Sequence, residues 1–242
     1  YNVDETSGKV IRKAQWVEKS GKRYYTNSDG VLYRNQVITF GSTWYCMGKD
    51  GSVQKGIVEV NGKLYYTDET TGQVIKKAQW IEQNGKRYFV TAEGKLYQNQ
   101  IITFGNTWYY MGADGSVQKG IVSNKGTYYF ADSESGIIRK QAGWIEYHGK
   151  KYYSQKTGVL YKNQFISFNE TYYYCGSDAA IVTGKQVVGG IIYNFDSNGI
   201  MKKEGGWGEY NGNKYYKNPA TGFPYKNQWV TFGQTWYYAN VN

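Results

Sequence analysis

Proline occurs twice in 242 residues, cysteine twice, histidine once and methionine three times. Two prolines beside 31 glycines exclude a collagen-like helix, which needs a strict Gly-X-Y period rich in proline. Two cysteines exclude a disulfide scaffold and leave the redox compartment open. Cys46 and Cys175 read as like positions of a repeat, too far apart in a linear array to bridge, each standing in for an aromatic. The single histidine, His148, precedes Gly149 and reads as a turn residue. No Ser/His/Asp set, metal cluster or phosphate loop can be assembled from what remains, so catalysis finds no support and no cofactor or metal is expected. Apolar runs are only a few residues long, too short for a membrane-spanning helix. No leader pattern opens the chain, which starts mid-pattern and is expected to be a fragment of a larger protein.

Aromatic residues, by contrast, make up 18% of the chain, with 27 Tyr and 8 Trp, a composition that disordered chains lack. The formal net charge of +10 permits attraction to an anionic polymer. Nucleic acid is not expected, since no known motif or concentrated basic run appears.

The aromatics repeat. Trp16, Trp80, Trp144 and Trp207 recur at intervals of about 64 residues, each opening a segment like Trp16-Val-Glu-Lys-Ser-Gly-Lys-Arg-Tyr-Tyr25. A second unit, Asn35-Gln-Val-Ile-Thr-Phe-Gly-Ser-Thr-Trp-Tyr45, recurs from Asn99, Asn163 and Asn227. A third, Gly56 to Tyr66, recurs near Gly120 to Tyr129 and, degraded, near Gly184 to Phe195. Four first, four second and three third units give periods of about 14–77, 78–141, 142–204 and 205–242, with 1–13 the tail of a preceding unit, all within one repeat module. Each unit is two short β-rich runs around a turn such as Asn61-Gly62 or Asn84-Gly85, the strongest short hairpin signal. Lone hairpins are marginal in water, so about eleven in series are expected to stack as an all-β array.

A two-residue turn at Ser20-Gly21 sets Trp16 opposite Tyr25, Val17 opposite Tyr24 and Glu18 opposite Arg23. The charged pair recurs as Glu82/Arg87, Glu146/Lys151 and Glu209/Lys214, which marks its face as outward. Trp16 and Tyr25 are then expected at the surface, with Val17 and Tyr24 toward the core. In second units Trp44 faces Thr39 outward and Tyr45 faces Ile38 inward.

Gly-x-x-Tyr-Tyr hairpins of about 20 residues resemble the cell-wall-binding repeat superfamily. Leu160-Tyr-Lys-Asn-Gln-Phe-Ile-Ser-Phe168 is similar to the longer repeat of large clostridial toxins. Gly94-Lys-Leu-Tyr97 and Trp108-Tyr-Tyr-Met-Gly-Ala-Asp-Gly115 are similar to glucansucrase glucan-binding repeats. The resemblance covers essentially the whole chain. It implies a solenoid of about eleven stacked β-hairpins, three per 64-residue turn.

Two rows of rings then suit the C–H faces of a sugar. One is Trp16, Trp80, Trp144 and Trp207 with their partners Tyr25, Phe89 and Tyr153; the other is Trp44, Trp108, Tyr172 and Trp236. Gln36, Gln100, Gln164 and Gln228 supply polar neighbours. For both Trp rows packing between hairpins competes with ligand contact. Choline needs an aromatic cage free of cations, and only the last second unit carries both Trp229 and Trp236, while Arg23, Arg87, Lys151 and Lys214 oppose a cation in the first units. Lys19, Lys22, Lys76, Lys77, Lys86, Lys150, Lys202 and Lys203 are read as the uncompensated charge that steers the chain to an acidic wall polymer.

The expectation is a non-catalytic, multivalent carbohydrate-binding repeat module that attaches a secreted or cell-surface protein to α-glucan or cell-wall polysaccharide. Its partner is a polysaccharide or oligosaccharide, with an anionic wall polymer as a further possibility and no membrane insertion. The alternatives are a host-glycan-binding arm of a toxin or adhesin, a choline or teichoic-acid binder, and a structural spacer.

Overall fold

The computed structural model describes residues 1–240. Every regular element among them is a five-residue β-strand, and the twenty-two strands pair as eleven two-stranded antiparallel hairpins. Local chemistry explains the tight turns. Ser20, Asn61, Asn84, Lys125, His148 and Asn211 have φ near +50°, and the glycines that follow have φ of 71–80°. Two consecutive left-handed residues form the type I′ turn whose twist matches paired strands. His148 is therefore a turn residue, as its sequence context implied. The first-unit hairpins start at Gln15, Gln79, Gly143 and Gly206 and keep the sequence period.

The expected register holds, with Trp16↔Tyr25, Val17↔Tyr24 and Glu18↔Arg23 in the first hairpin (Gln15–Lys19 with Lys22–Thr26). It also holds in the second hairpin (Gln36–Phe40 with Thr43–Met47), as Thr39↔Trp44 and Ile38↔Tyr45. The assignment of one outward and one inward face does not hold. Trp16 and Tyr25 pack on Ile38, Tyr45 and Met47 of the second hairpin. The opposite face of that hairpin, with Val37, Trp44 and Cys46, packs on Val58, Val60 and Tyr65 of the third (Gly56–Val60 with Lys63–Thr67). The third in turn offers Ile57, Leu64 and Tyr66 to Tyr88 and Val90 of the fourth (Gln79–Gln83 with Lys86–Val90). Strand alternation thus sorts side chains between the preceding and the following hairpin, and solvent enters from tips and edges. The physical reason is size: a two-stranded sheet has so little interior of its own that both faces must be covered.

The loops tie this stack together. Tyr24 bridges Ser52 while Met47 bridges Val53, so the loop after the second hairpin pairs with strands of two successive hairpins. Tyr88 with Ser116 and Met111 with Val117 repeat the device one period on. Fully buried Thr26 is satisfied because its hydroxyl donates to the Lys13 and Gln15 carbonyls at 2.7 and 3.3 Å. Gly94, at φ +78°, turns such a loop where a Cβ would overlap Val74 Cγ1.

The chain divides into two compact parts, Tyr1–Lys119 with Ala131–Ile138, and Gly120–Phe130 with the residues from Arg139 onward. The cores of the first part are those described above. In the second, Ile145, Tyr152, Leu160, Ala179 and Ala180 form one buried cluster and Tyr193, Phe195 and Met201 another.

Cys46 and Cys175 are unbridged and fully buried, and burial pushes both thiols up to about 12. The register corrects their reading as like positions. Cys46 pairs with Val37, as Tyr174 does with Phe165, so it replaces an aromatic. Cys175 pairs with Gln164, as Met47 does with Gln36, so it replaces a methionine.

Candidate functional site

Packing a first unit on a second unit builds one aromatic cluster in each of the four periods. Trp16 lies 5.0 Å from Tyr25, 5.5 Å from Phe40 and 4.9 Å from Tyr45, centroid to centroid. Tyr25 lies 4.7 Å from Phe40 and stacks on Tyr33 at 5.8 Å. Trp80, Phe89, Phe104 and Tyr109 repeat the arrangement, as do Trp144, Tyr153, Phe168 and Tyr173, and then Trp207, Tyr216, Phe232 and Tyr237. The distance from Trp to the second-unit Tyr stays between 4.9 and 5.0 Å in all four. Most of these pairs meet edge-on or tilted, the preferred geometry of aromatic quadrupoles, which leaves ring faces directed sideways.

The structure therefore brings Trp16 to Tyr25, Trp80 to Phe89 and Trp144 to Tyr153, and adds a ring that sequence reasoning did not single out. Phe40, Phe104, Phe168 and Phe232 complete the clusters, and Phe40 and Phe104 are 38% and 40% exposed. Their signal was present as a Phe at the same place in every second unit, next to the hairpin tip. Only the stacking of one hairpin on the next shows that this Phe meets the first-unit Trp.

The second row separates from the first. Trp44 is half-buried against the cluster of Cys46, Val58, Val60, Tyr65 and Val74, with the Lys76 ammonium 4.5 Å from its ring. Trp108 is half-buried, and its carbonyl accepts the Ile138 N–H at 2.9 Å. Tyr172 meets Phe223 at 4.9 Å. Trp236 is 65% exposed and lies 6.4 Å from Trp229, itself 62% exposed. Gln36, Gln100, Gln164 and Gln228 are exposed at the strand start. Gln36 is four residues from Phe40, about 13 Å along the strand, so it does not flank the cluster.

The charges also rearrange. Lys22 pairs with Asp50 at 2.8 Å, Lys86 with Asp114 at 2.7 Å and Lys150 with Asp178 at 2.8 Å, each joining a hairpin tip to a loop 28 residues on. Lys19 meets Glu5 at 3.1 Å and Lys203 meets Glu170 at 3.5 Å. Five lysines read as uncompensated are thus paired, because the loops carry acids that no spacing within a single hairpin reveals. Asp50 closes its own turn as well, its carboxylate accepting the Ser52 N–H and hydroxyl. The Lys22 ammonium first, and then these Ser52 donors, hold that carboxyl far below the usual range. In the register Arg23 faces Glu18, yet its guanidinium lies 3.9 Å from the centroid of Trp16. Arg87 sits 4.0 Å from that of Trp80.

Residues 15–32, 102–117, 142–160 and 227–242 match a family model described as a putative cell wall binding repeat. Glucosyltransferase-S of Streptococcus mutans is 30% identical over 200 residues, covering 79% of this chain and 13% of that protein. Glucosyltransferase-I of Streptococcus downei is 28% identical over 242 residues, covering 97% of this chain and 15% of that protein. The chain thus spans about one seventh of the length of these relatives. Choline binding protein F of Streptococcus pneumoniae shares the fold, with a TM-score of 0.57 at 20% identity over 95% of this chain and 92% of that one. With its repeat grammar, its four matched segments and this shared hairpin fold, the chain is a member of the cell-wall-binding repeat superfamily.

Proposed function

We propose that the chain is a non-catalytic, multivalent carbohydrate-binding module that attaches a secreted or cell-surface protein to α-glucan or cell-wall polysaccharide. The observation that carries this reading is the fourfold recurrence of the Trp, Tyr or Phe, Phe and Tyr cluster, with the Trp-to-Tyr distance conserved to 0.1 Å. A partly exposed ring beside polar groups suits the C–H face of a hexose, and repetition suits a polymer. Trp16, Trp80, Trp144 and Trp207 carry the contact, together with Tyr25, Phe89, Tyr153 and the four Phe residues. Trp44 and Trp108 serve chiefly to pack second units on third units. The relatives named glucosyltransferases support an α-glucan as the polymer, the chain being a small part of such a protein. The periods form one module across 1–242, its hairpins winding as a solenoid with three to each 64-residue turn.

Retention on insoluble α-glucan, measured beside a glycan array, tests the reading. Polymer is expected to bind at least a hundredfold more tightly than a short oligosaccharide, because linked weak sites gain effective concentration. Raising salt to about 0.5 M is expected to change binding little, since exposed charges are screened beyond about 10 Å. Equal affinity for polymer and oligosaccharide would sink multivalency, and a steep loss with salt would favour an acidic wall polymer.

The last hairpin (Gln228–Phe232 with Thr235–Ala239) favours a second reading for one place. Trp229, Trp236 and Tyr238 are exposed there, with Trp229 5.3 Å from Tyr238. Such a group of rings suits a quaternary ammonium. Choline is expected to quench fluorescence in the wild-type chain but not in Trp229→Ala if this reading holds.

A further inference from the structure

The four aromatic clusters are alike in their rings and differ in what lies on the Trp. In the first two periods the hairpin tip reads Gly21-Lys22-Arg23-Tyr24 and Gly85-Lys86-Arg87-Tyr88. The Arg23 guanidinium carbon is 3.9 Å from the Trp16 centroid and 5.6 Å from that of Tyr45. Arg87 reproduces this at 4.0 Å from Trp80 and 5.5 Å from Tyr109. Both Trp rings are half-buried. In the third and fourth periods the same position is Lys151 and Lys214. Lys151 turns to Glu146, with Nζ 4.0 Å from Oε1. Trp144 there is 40% exposed and lines a cavity of about 230 Å³ with Lys151, Tyr173 and Asn198. Trp207 is 51% exposed and lines a cavity of about 700 Å³ with Lys214, Tyr216 and Tyr237.

We infer that Arg23 and Arg87 are built-in lids that occupy the sugar-stacking faces of Trp16 and Trp80, so that the Trp144 and Trp207 clusters bind sugar first. The inference rests on the carbohydrate reading above and adds which clusters work and which residue decides it. Its physical basis is the difference between the two cations. A guanidinium is planar and weakly hydrated, and lies flat on an indole as a pyranose face would. An ammonium is a compact, strongly hydrated charge that stays in water and leaves the ring open. A sugar arriving at Trp16 must displace Arg23 and forfeit that stacking. A sugar arriving at Trp144 displaces only water. The competition is expected to weaken the first two sites about fivefold relative to the last two, the scale of a partly exposed cation–π contact.

The test uses the full chain labelled with 5-fluorotryptophan, its resonances assigned by single Trp→Phe variants, and titrated with an α-1,6-linked glucose heptasaccharide. Half-saturation of the Trp144 and Trp207 resonances is expected at about one fifth of the concentration needed for Trp16 and Trp80. Arg23→Lys with Arg87→Lys should bring all four within about twofold. The reverse exchange, Lys151→Arg, should raise the half-saturation at Trp144 alone, and it leaves the first part of the chain untouched should the double variant misfold. One common half-saturation in the wild type, or values unmoved by both exchanges, overturns the lids while leaving sugar binding intact. No movement of any Trp resonance, with no retention on insoluble glucan, overturns the carbohydrate reading itself and the lids with it.

Discussion

Replacing Tyr109 by alanine tests the stacking of one hairpin on the next most directly. Tyr109 is 7% exposed in the fifth hairpin (Gln100–Phe104 with Thr107–Met111), opposite Ile102. Its ring lies 5.0 Å from Trp80 and 6.4 Å from Phe104, within the buried cluster of Ile102 and Met111. Truncation removes the ring on which Trp80 rests, and the backbone bridge between Tyr109 and Ile137 limits how far the site can collapse. Large aromatic truncations in such sites cost about 3–5 kcal/mol. For a body of this size each kcal/mol lowers Tm by roughly 3 °C, so a fall of about 10–15 °C is expected. Trp108→Ala, at a half-buried neighbour, is expected to cost about half as much. Because each hairpin packs only on its neighbours, hydrogen exchange should quicken first around Trp80 and Phe104 and leave Val58 and Tyr65 protected. A Tyr109→Ala protein melting within 2 °C of wild type, or one less damaged than Trp108→Ala, would refute the reasoning.

Three further outcomes are expected. Cys46 and Cys175, both buried with thiols raised to about 12, should stay unreactive toward a disulfide reagent at pH 8 and release two equivalents only in denaturant; reaction in the native state would contradict their burial. Asp50 has its folded pKa lowered, so its contribution to stability is present above about pH 4 and lost as pH falls through the folded value. Asp50→Asn should therefore lower Tm at pH 7, and the gap from wild type should narrow below about pH 4; a constant gap down to pH 2 would count against the Lys22 clasp. Gly94→Ala forces a left-handed backbone and an overlap with Val74, and should cost more than about 1 kcal/mol in a urea melt, whereas an unchanged midpoint would show that the loop can move aside.

Much of the fold was legible from the residues. Asn-Gly turns need two positive φ values, and alternation about such a turn dictates which side chains face each other, so Trp16 opposite Tyr25 and Ile38 opposite Tyr45 followed from counting. The recurrence of Trp at 64 residues likewise marked one cluster in each period. Three things were not legible. Charge alternation along one hairpin read as inside and outside, whereas each face meets a different neighbour, as the Val37–Trp44 face does against Val58 and Tyr65. The lysines of the tips looked free because Asp50, Asp114 and Asp178 lie one loop beyond the hairpin that uses them. The place of Arg23 over Trp16, and of Phe40 beside it, was equally hidden.

Local chemistry thus determined the hairpins themselves: their turns, their register and their period. Those depend on φ preferences and side-chain alternation within a dozen residues, which any single unit carries complete. Tertiary structure decided which faces touch, which charges are paired and which Trp is covered. Each of these is a contact between residues 20 to 30 apart, set by how one hairpin is laid on the next, and no single hairpin contains that information.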